Sequence, residues 1–373
     1  MAASSPDDDD LLRPEDTHTL NGHEGAEKLF LEAYNSGRLA HAWLLAGPEG
    51  VGKATLAFRI ARFMLSQLDG ADSGGLFDAG ELPQPTSLEV PTDGPVSAQV
   101  SAGSHPNLMV LRRGVDEKTG RVRTVVTVDD VRKLQGLFGM TAGADGWRVA
   151  IVDPADDMNR NAANALLKVL EEPPAKSLLL LVSHAPGRLL PTIRSRCRRL
   201  VLHPLAEQHV VDIVAAHHPD LGHTDLLSLA RFAEGSPGRA MTLASRDGLG
   251  LYREMVELLN MLPNSDVRAV QSLGDRFRRK DGADAYKTFT DLLTEWLQHM
   301  IRSAATGRPA PEAVPGEAAL MARLCAGHSL EQWVQVWENV RHLVAKADAV
   351  NLDRKQVLVS LFSTLEKAVK SAA

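Results

Sequence analysis

Nine residues, Gly47-Pro-Glu-Gly-Val-Gly-Lys-Ala-Thr55, constrain this chain more than any other stretch. Up to Lys53 they follow the phosphate-binding pattern G-x-x-x-x-G-K, and then they leave it. A glycine-rich turn lets successive backbone N–H groups converge on a polyphosphate, and the helix that follows adds the positive end of its dipole. The candidate nucleotide-binding residues here are Gly47, Gly50, Gly52, Lys53 and Thr55, with Lys53 as a point charge against the outer phosphates. The pattern next requires a Ser or Thr hydroxyl for Mg²⁺, and this chain has Ala54. Thr55 does not replace it, because one helical step turns a side chain by roughly 100°. The flanks suit the loop: residues 42–46 read as a buried strand and 55–64 as the helix leaving it.

A second chemical stretch is Trp147-Arg-Val-Ala-Ile-Val-Asp153. An apolar strand ending in Asp, after a phosphate loop, places a carboxylate where it can hold Mg²⁺ through water, so Asp153 joins the candidates. A hydrolysing site then needs a base such as Glu; the next residue is Pro154, and Asp156 reads as a turn cap. Residues 159–172 follow as an amphipathic helix stopped by Pro173 and Pro174. Residues 177–183, apolar without a break between two serines, read as a strand buried on both faces. Ser183 or His184 stands at its end, where a polar residue can sense a γ-phosphate.

The remaining strands are expected at 105–111, 125–128 and 199–202, alternating with helices, which implies a mostly parallel sheet covered on both faces. After residue 203 the strands stop and helices are expected at 206–217 and 225–233. Gly235-Ser-Pro-Gly-Arg239 punctuates the chain as a helix start, with Arg239 in the first turn. An arginine there opposes the helix dipole, so either an anion lies in front of it or it is a solvated surface residue. Four apolar stripes after residue 250, among them Phe289–Leu293–Trp296–Met300 and Val357–Leu361–Phe362–Leu365, predict a helical bundle.

A chain of 373 residues is long for one core, so two or three domains are expected. The expected order is an acidic, disordered tail at 1–19, a nucleotide-binding-like α/β domain at 20–203 with a flexible insertion at 69–104, three lid helices at 204–247, and a helical domain at 248–373. The net charge of −6 argues against a protein that coats nucleic acid, so any DNA contact is expected to be local or shared with partners. Two cysteines, Cys197 and Cys325, supply neither a disulfide framework nor a four-thiolate zinc site. With no long apolar run and no basic-then-apolar leader, the expectation is a cytoplasmic protein without a membrane span.

Taken together, the motifs resemble a known family, the clamp-loader AAA+ proteins of bacterial replication. The resemblance is carried by Arg38-Leu-Ala-His-Ala42 before the phosphate loop, His105-Pro-Asn-Leu108, Val128-Asp-Asp-Val-Arg132, Val152-Asp-Pro-Ala-Asp156, Ser195-Arg-Cys197 and Gly235-Ser-Pro-Gly-Arg-Ala240, in family order. It implies an AAA+ P-loop α/β domain with a mostly parallel sheet, followed by a small helical lid and an all-α collar that joins subunits. It also implies a place beside motor (tau or gamma) and delta subunits in a hetero-pentamer that sets a sliding clamp on primed DNA. Arg196 then corresponds to the arginine that reaches a neighbour's ATP, and Arg239 to the lid position called sensor 2. Ala54 and Pro154 fit members that hydrolyse ATP weakly or not at all, so no cofactor is required and ATP or ADP would meet a degenerate site. Many members carry a four-cysteine zinc module after the first helix; this chain has no cysteine between Gly70 and Ser104, so no zinc is expected. The competing expectations are an ATP-hydrolysing motor subunit of the same loader, against which Pro154 argues, and a P-loop kinase, which leaves Ser195–Cys197 and the long helical remainder unexplained.

Overall fold

The computed structural model describes residues 13–67, 84–115, 120, 122–139, 146–245, 247–279, 282–309, 311–350 and 352–371. By contacts the chain forms two compact units. The first comprises residues 1–209 with 235–239, and the second residues 210–234 with 240–373. The residues expected as a lid, 204–247, are thus shared between the two.

The first unit is built on five parallel strands: β1 (Ala42–Ala46), β2 (Leu108–Leu111), β3 (Arg148–Val152), β4 (Ser177–Ser183) and β5 (Arg198–Val201), in the spatial order β2-β3-β4-β1-β5. The unbroken apolar runs follow from burial on both faces. In β1, Trp43 and Leu45 enter one core with Ile151 and Leu180, while Ala42 and Leu44 enter the other with Val152 and Leu181. Helices α1 (Glu24–Asn35) and α2 (Lys53–Ser66) supply Phe30, Leu56 and Ile60 to the first core. On the opposite face, α4 (Val128–Gly139) and α5 (Arg160–Glu171) supply Val131, Leu134 and Leu166.

Three expectations are corrected. The tail expected to be disordered at 1–19 is ordered from residue 13, and its residues 1–12 lie outside the described residues. Arg59 and Arg62 are buried on α2 and need acceptors. They find them in the carbonyl oxygens of Glu15, Thr17 and His18, which pins this segment to the helix. The insertion expected at 69–104 contains α3 (Pro95–Ser101), packed on α2, with Leu88 and Val100 in the first core; its residues 69–83 lie outside the described residues. Proline at the first helical position and less than two turns of length left no period to read. The strand expected at 125–128 is a single bridge from Val126 to Met158. The helix starts at Val128 because the Asp130 carboxylate accepts from the Thr127 N–H at 3.0 Å and from its hydroxyl at 2.7 Å.

The first unit also holds the short α6 (Pro191–Arg194) ahead of β5. The chain passes to the second unit within α7 (Glu207–His217), and again within α9 (Pro237–Ser245). The second unit contains α8 (His223–Phe232) and α10 to α15 (Gly248–Asn260, Val267–Phe277, Gly282–Thr306, Glu317–Cys325, Leu330–Val350 and Arg354–Lys370). The expected apolar stripes pack inward, save that Trp337 and Val344 of the third are only half-buried, and Phe289 of α12 links Phe277 to Phe362 at ring separations of 5.6 and 6.5 Å. Glu317 is buried there, accepting from the Tyr252 hydroxyl and the N–H groups of Ala313 and Val314; burial raises its pKa. Among the described residues, no helix is long and apolar enough to cross a membrane.

Candidate functional site

The phosphate loop leaves β1 at Gly47. Its φ is +156°, and a Cβ there would stand 2.3 Å from the Leu202 carbonyl oxygen, so only glycine fits. Gly50 has φ +73° and is backed by the turn that starts α9. The Gly238 N–H donates to the Gly50 carbonyl at 2.9 Å, and the Ser236 hydroxyl donates to the Glu49 carbonyl at 2.6 Å. The backbone of Arg239 is thereby brought against the loop: a Cβ on Gly50 would lie 3.0 Å from its nitrogen. Gly52, with φ +109°, precedes α2, and Thr55 lies half-buried in that helix's first turn.

Lys53 is buried, and its ammonium group turns back on its own loop. It donates to the carbonyl oxygens of Gly47, at 2.7 Å, and Pro48. Burial pushes its pKa down to about 8, against the pull of Glu49, Asp153 and Asp156. One contact was not legible in the sequence: His23, at the start of α1, donates from Nε2 to the Val51 carbonyl at 2.8 Å. A lone histidine ahead of a helix carries no spacing signal for such a role.

Asp153 follows the last residue of β3, and its peptide bond to Pro154 is cis. Its carboxylate is largely buried and faces an arginine. The Nε of Arg112 stands 3.5 Å away, and the two terminal nitrogens of the same guanidinium grip both oxygens of Glu15 at 3.1 and 3.0 Å. Burial raises the Asp153 pKa, and Arg112 offsets part of that rise. Burial also works against ionisation of Glu15, but the bonds from Arg112 and Arg13 outweigh it and hold its carboxyl down at about 2. Asp156 does not cap its own turn as expected; it reaches the end of β4, accepting from the Ser183 hydroxyl at 2.8 Å and from the His184 and Ala185 N–H groups. Ser183 is fully buried in that contact.

These residues do not fit Mg²⁺. Ala54 has no side-chain oxygen, and the Asp153 carboxylate already faces the Arg112 guanidinium. Among the described residues, no group of His, Cys, Asp or Glu could hold a metal ion.

Arg196 lies apart from the loop, in the turn between α6 and β5, at the sheet edge. One terminal nitrogen donates to the Thr192 carbonyl at 3.1 Å and the other pairs with Glu171 of α5 at 2.9 Å. Nearby Arg198 covers the Trp43 ring at 4.8 Å. The structure therefore gathers Gly47, Gly50, Gly52, Lys53, Thr55 and the backbone of Arg239 around one loop, places Asp153 at the end of β3, with β4 between it and β1, and leaves Arg196 at the edge.

A parallel sheet ordered β2-β3-β4-β1-β5, with a glycine–lysine loop after β1 and an aspartate just after β3, defines a P-loop α/β domain. Residues 22–206, just under half of the chain, match the family described as DNA polymerase III, delta subunit. The chain is 35% identical over 230 residues to the DNA polymerase III subunit delta' of Pseudomonas aeruginosa, covering 62% of this chain and 63% of that one. To the delta' subunit of Escherichia coli K12 it is 33% identical over 222 residues, 59% of each chain. The matches thus span less than two thirds of these relatives. The DNA polymerase III subunit tau of Bacillus subtilis is more distant, 23% identical over 292 residues, 76% of this chain and 47% of that one.

Proposed function

We propose that this chain serves as a delta' subunit of a bacterial clamp loader. It assembles with motor (tau or gamma) and delta subunits in a hetero-pentamer that places the sliding clamp on primed DNA in the cytoplasm. In this reading residues 248–373 act as the collar and 204–247 as the lid. The subunit hydrolyses little or no ATP and acts on a neighbour's ATP through Arg196. The observation that carries this reading is the Arg112–Asp153 pair: a guanidinium stands 3.5 Å from the carboxylate that would otherwise be free to hold Mg²⁺ through water. Ala54 and Pro154 point the same way. Weak nucleotide binding on the loop remains compatible with this role. The likeness to tau over a larger share of this chain favours the motor reading, but a motor needs a metal ligand and a base at these positions. A kinase leaves the helical unit without a role.

Mechanistically, a trans-acting guanidinium keeps its charge and meets phosphate oxygens with paired N–H groups. Such arginines contribute about 10³–10⁵ in rate in other phosphoryl-transfer systems. The test is Arg196→Ala in a reconstituted loader, beside Arg199→Ala as a charge-matched control. Assembly is expected to survive both, and clamp-stimulated ATPase to fall for the first only; equal, small losses would reduce Arg196 to part of a basic edge. The isolated chain is expected to show no metal-dependent ATPase, and a rate that Lys53→Ala abolishes would restore the motor reading.

A further inference from the structure

We propose that Glu171 is the positioning residue for Arg196, fixing the guanidinium plane before a neighbouring subunit arrives. The role depends on Arg196 acting in trans, as proposed above.

Glu171 closes α5, a helix anchored at both ends. At its start, the Asn159 side chain accepts from the Ala162 N–H at 2.9 Å, and the Asn159 N–H donates to the Val126 carbonyl at 3.2 Å. Val126 in turn donates to the Asp157 carbonyl at 2.8 Å, so the helix start is tied to the turn after Asp153. At its end, His41 donates from Nε2 to the Leu170 carbonyl at 3.1 Å, fixing the residue before Glu171 to the entry of β1. These bonds fix the backbone from which the Glu171 carboxylate reaches Arg196.

The pairing with Glu171 at 2.9 Å and the bond to Thr192 at 3.1 Å use one N–H on each terminal nitrogen of Arg196. Three of the five N–H groups are left, all in one set plane, for a phosphate. Both side chains are substantially exposed, 36% for Arg196 and 50% for Glu171, so the pair adds little to folding stability. What it supplies is order: a free arginine spreads over many rotamers, and that freedom would otherwise be lost in the transition state.

The experiment uses the reconstituted loader with clamp and primed DNA, comparing Glu171→Ala, Glu171→Gln and, as a charge-matched control, Glu172→Ala. Gel filtration and thermal unfolding check assembly and folding. Glu171→Ala is expected to lower the stimulated kcat by about two- to fivefold with KM for ATP unchanged. Glu171→Gln, which keeps an acceptor, should fall between Ala and the parent, and Glu172→Ala should match the parent. In an Arg196→Ala background, Glu171→Ala should have no further effect. A kcat unchanged or raised by Glu171→Ala, while Arg196→Ala lowers it, overturns the positioning role and leaves the trans arginine standing. No effect from Arg196→Ala itself overturns both.

Discussion

Arg112 stands 3.5 Å from Asp153 and bridges it to Glu15, a residue 97 positions earlier than Arg112 in the chain. This single guanidinium holds a buried carboxylate at the end of β3 and ties the N-terminal segment to the sheet. It also stacks over Phe58 of α2, at 5.7 Å from the ring centre.

Removing that guanidinium should destabilise the fold even though Arg112 is itself partly exposed. Arg112→Ala leaves Glu15 with Arg13 alone and Asp153 without its cation. A loss of about 1–3 kcal/mol is expected, below the value for a fully buried pair because solvent screens the site. Arg112→Lys should recover little of it, since an ammonium cannot grip both oxygens of Glu15. The midpoint of urea unfolding measures both.

Acid should reach the same network through Glu15. Its carboxyl titrates near 2 in the folded chain and near the usual 4.5 when unfolded, so the unfolded chain takes up the proton first. The stability it contributes is complete above about pH 4.5 and is lost as pH falls toward 2. Asp153, whose pKa burial raises, works in the opposite direction. The measure is therefore the difference between the parent and Glu15→Gln, followed by urea unfolding from pH 6 to pH 3. That difference should shrink steadily below pH 4.5; a constant gap would show that Glu15 does not titrate in this way.

The phosphate loop gives a steric prediction. Gly47→Ala forces a Cβ to within 2.3 Å of the Leu202 carbonyl oxygen at a φ that suits glycine, and should cost roughly 2–4 kcal/mol. Gly136→Ala, on an open face of α4 with nothing within 4 Å, should instead stabilise by about 0.5–1 kcal/mol. Thermal unfolding of the two variants should move in opposite directions.

The sequence by itself determined whatever repeats or closes locally. Residues 177–183 could be read as a buried strand because an apolar run of that length has few other uses. The loop at 47–53 was legible because glycine spacing is a backbone requirement, and the stripes around Phe289 and Leu361 because helices repeat every 3.6 residues. Tertiary structure decided what depends on partners far along the chain. Arg112 followed a short strand with no signal of its own, and Glu15 lay in a stretch whose neighbours are acidic. Buried Arg59 and Arg62 look in sequence like ordinary helical charges, yet their need for acceptors orders residues 13–19. Glu171 and Arg196 are 25 positions apart and meet only because α5 and the turn before β5 converge at one edge of the sheet. A charge has no periodicity, and its partner is set by where the packed elements bring it, which only the folded chain decides.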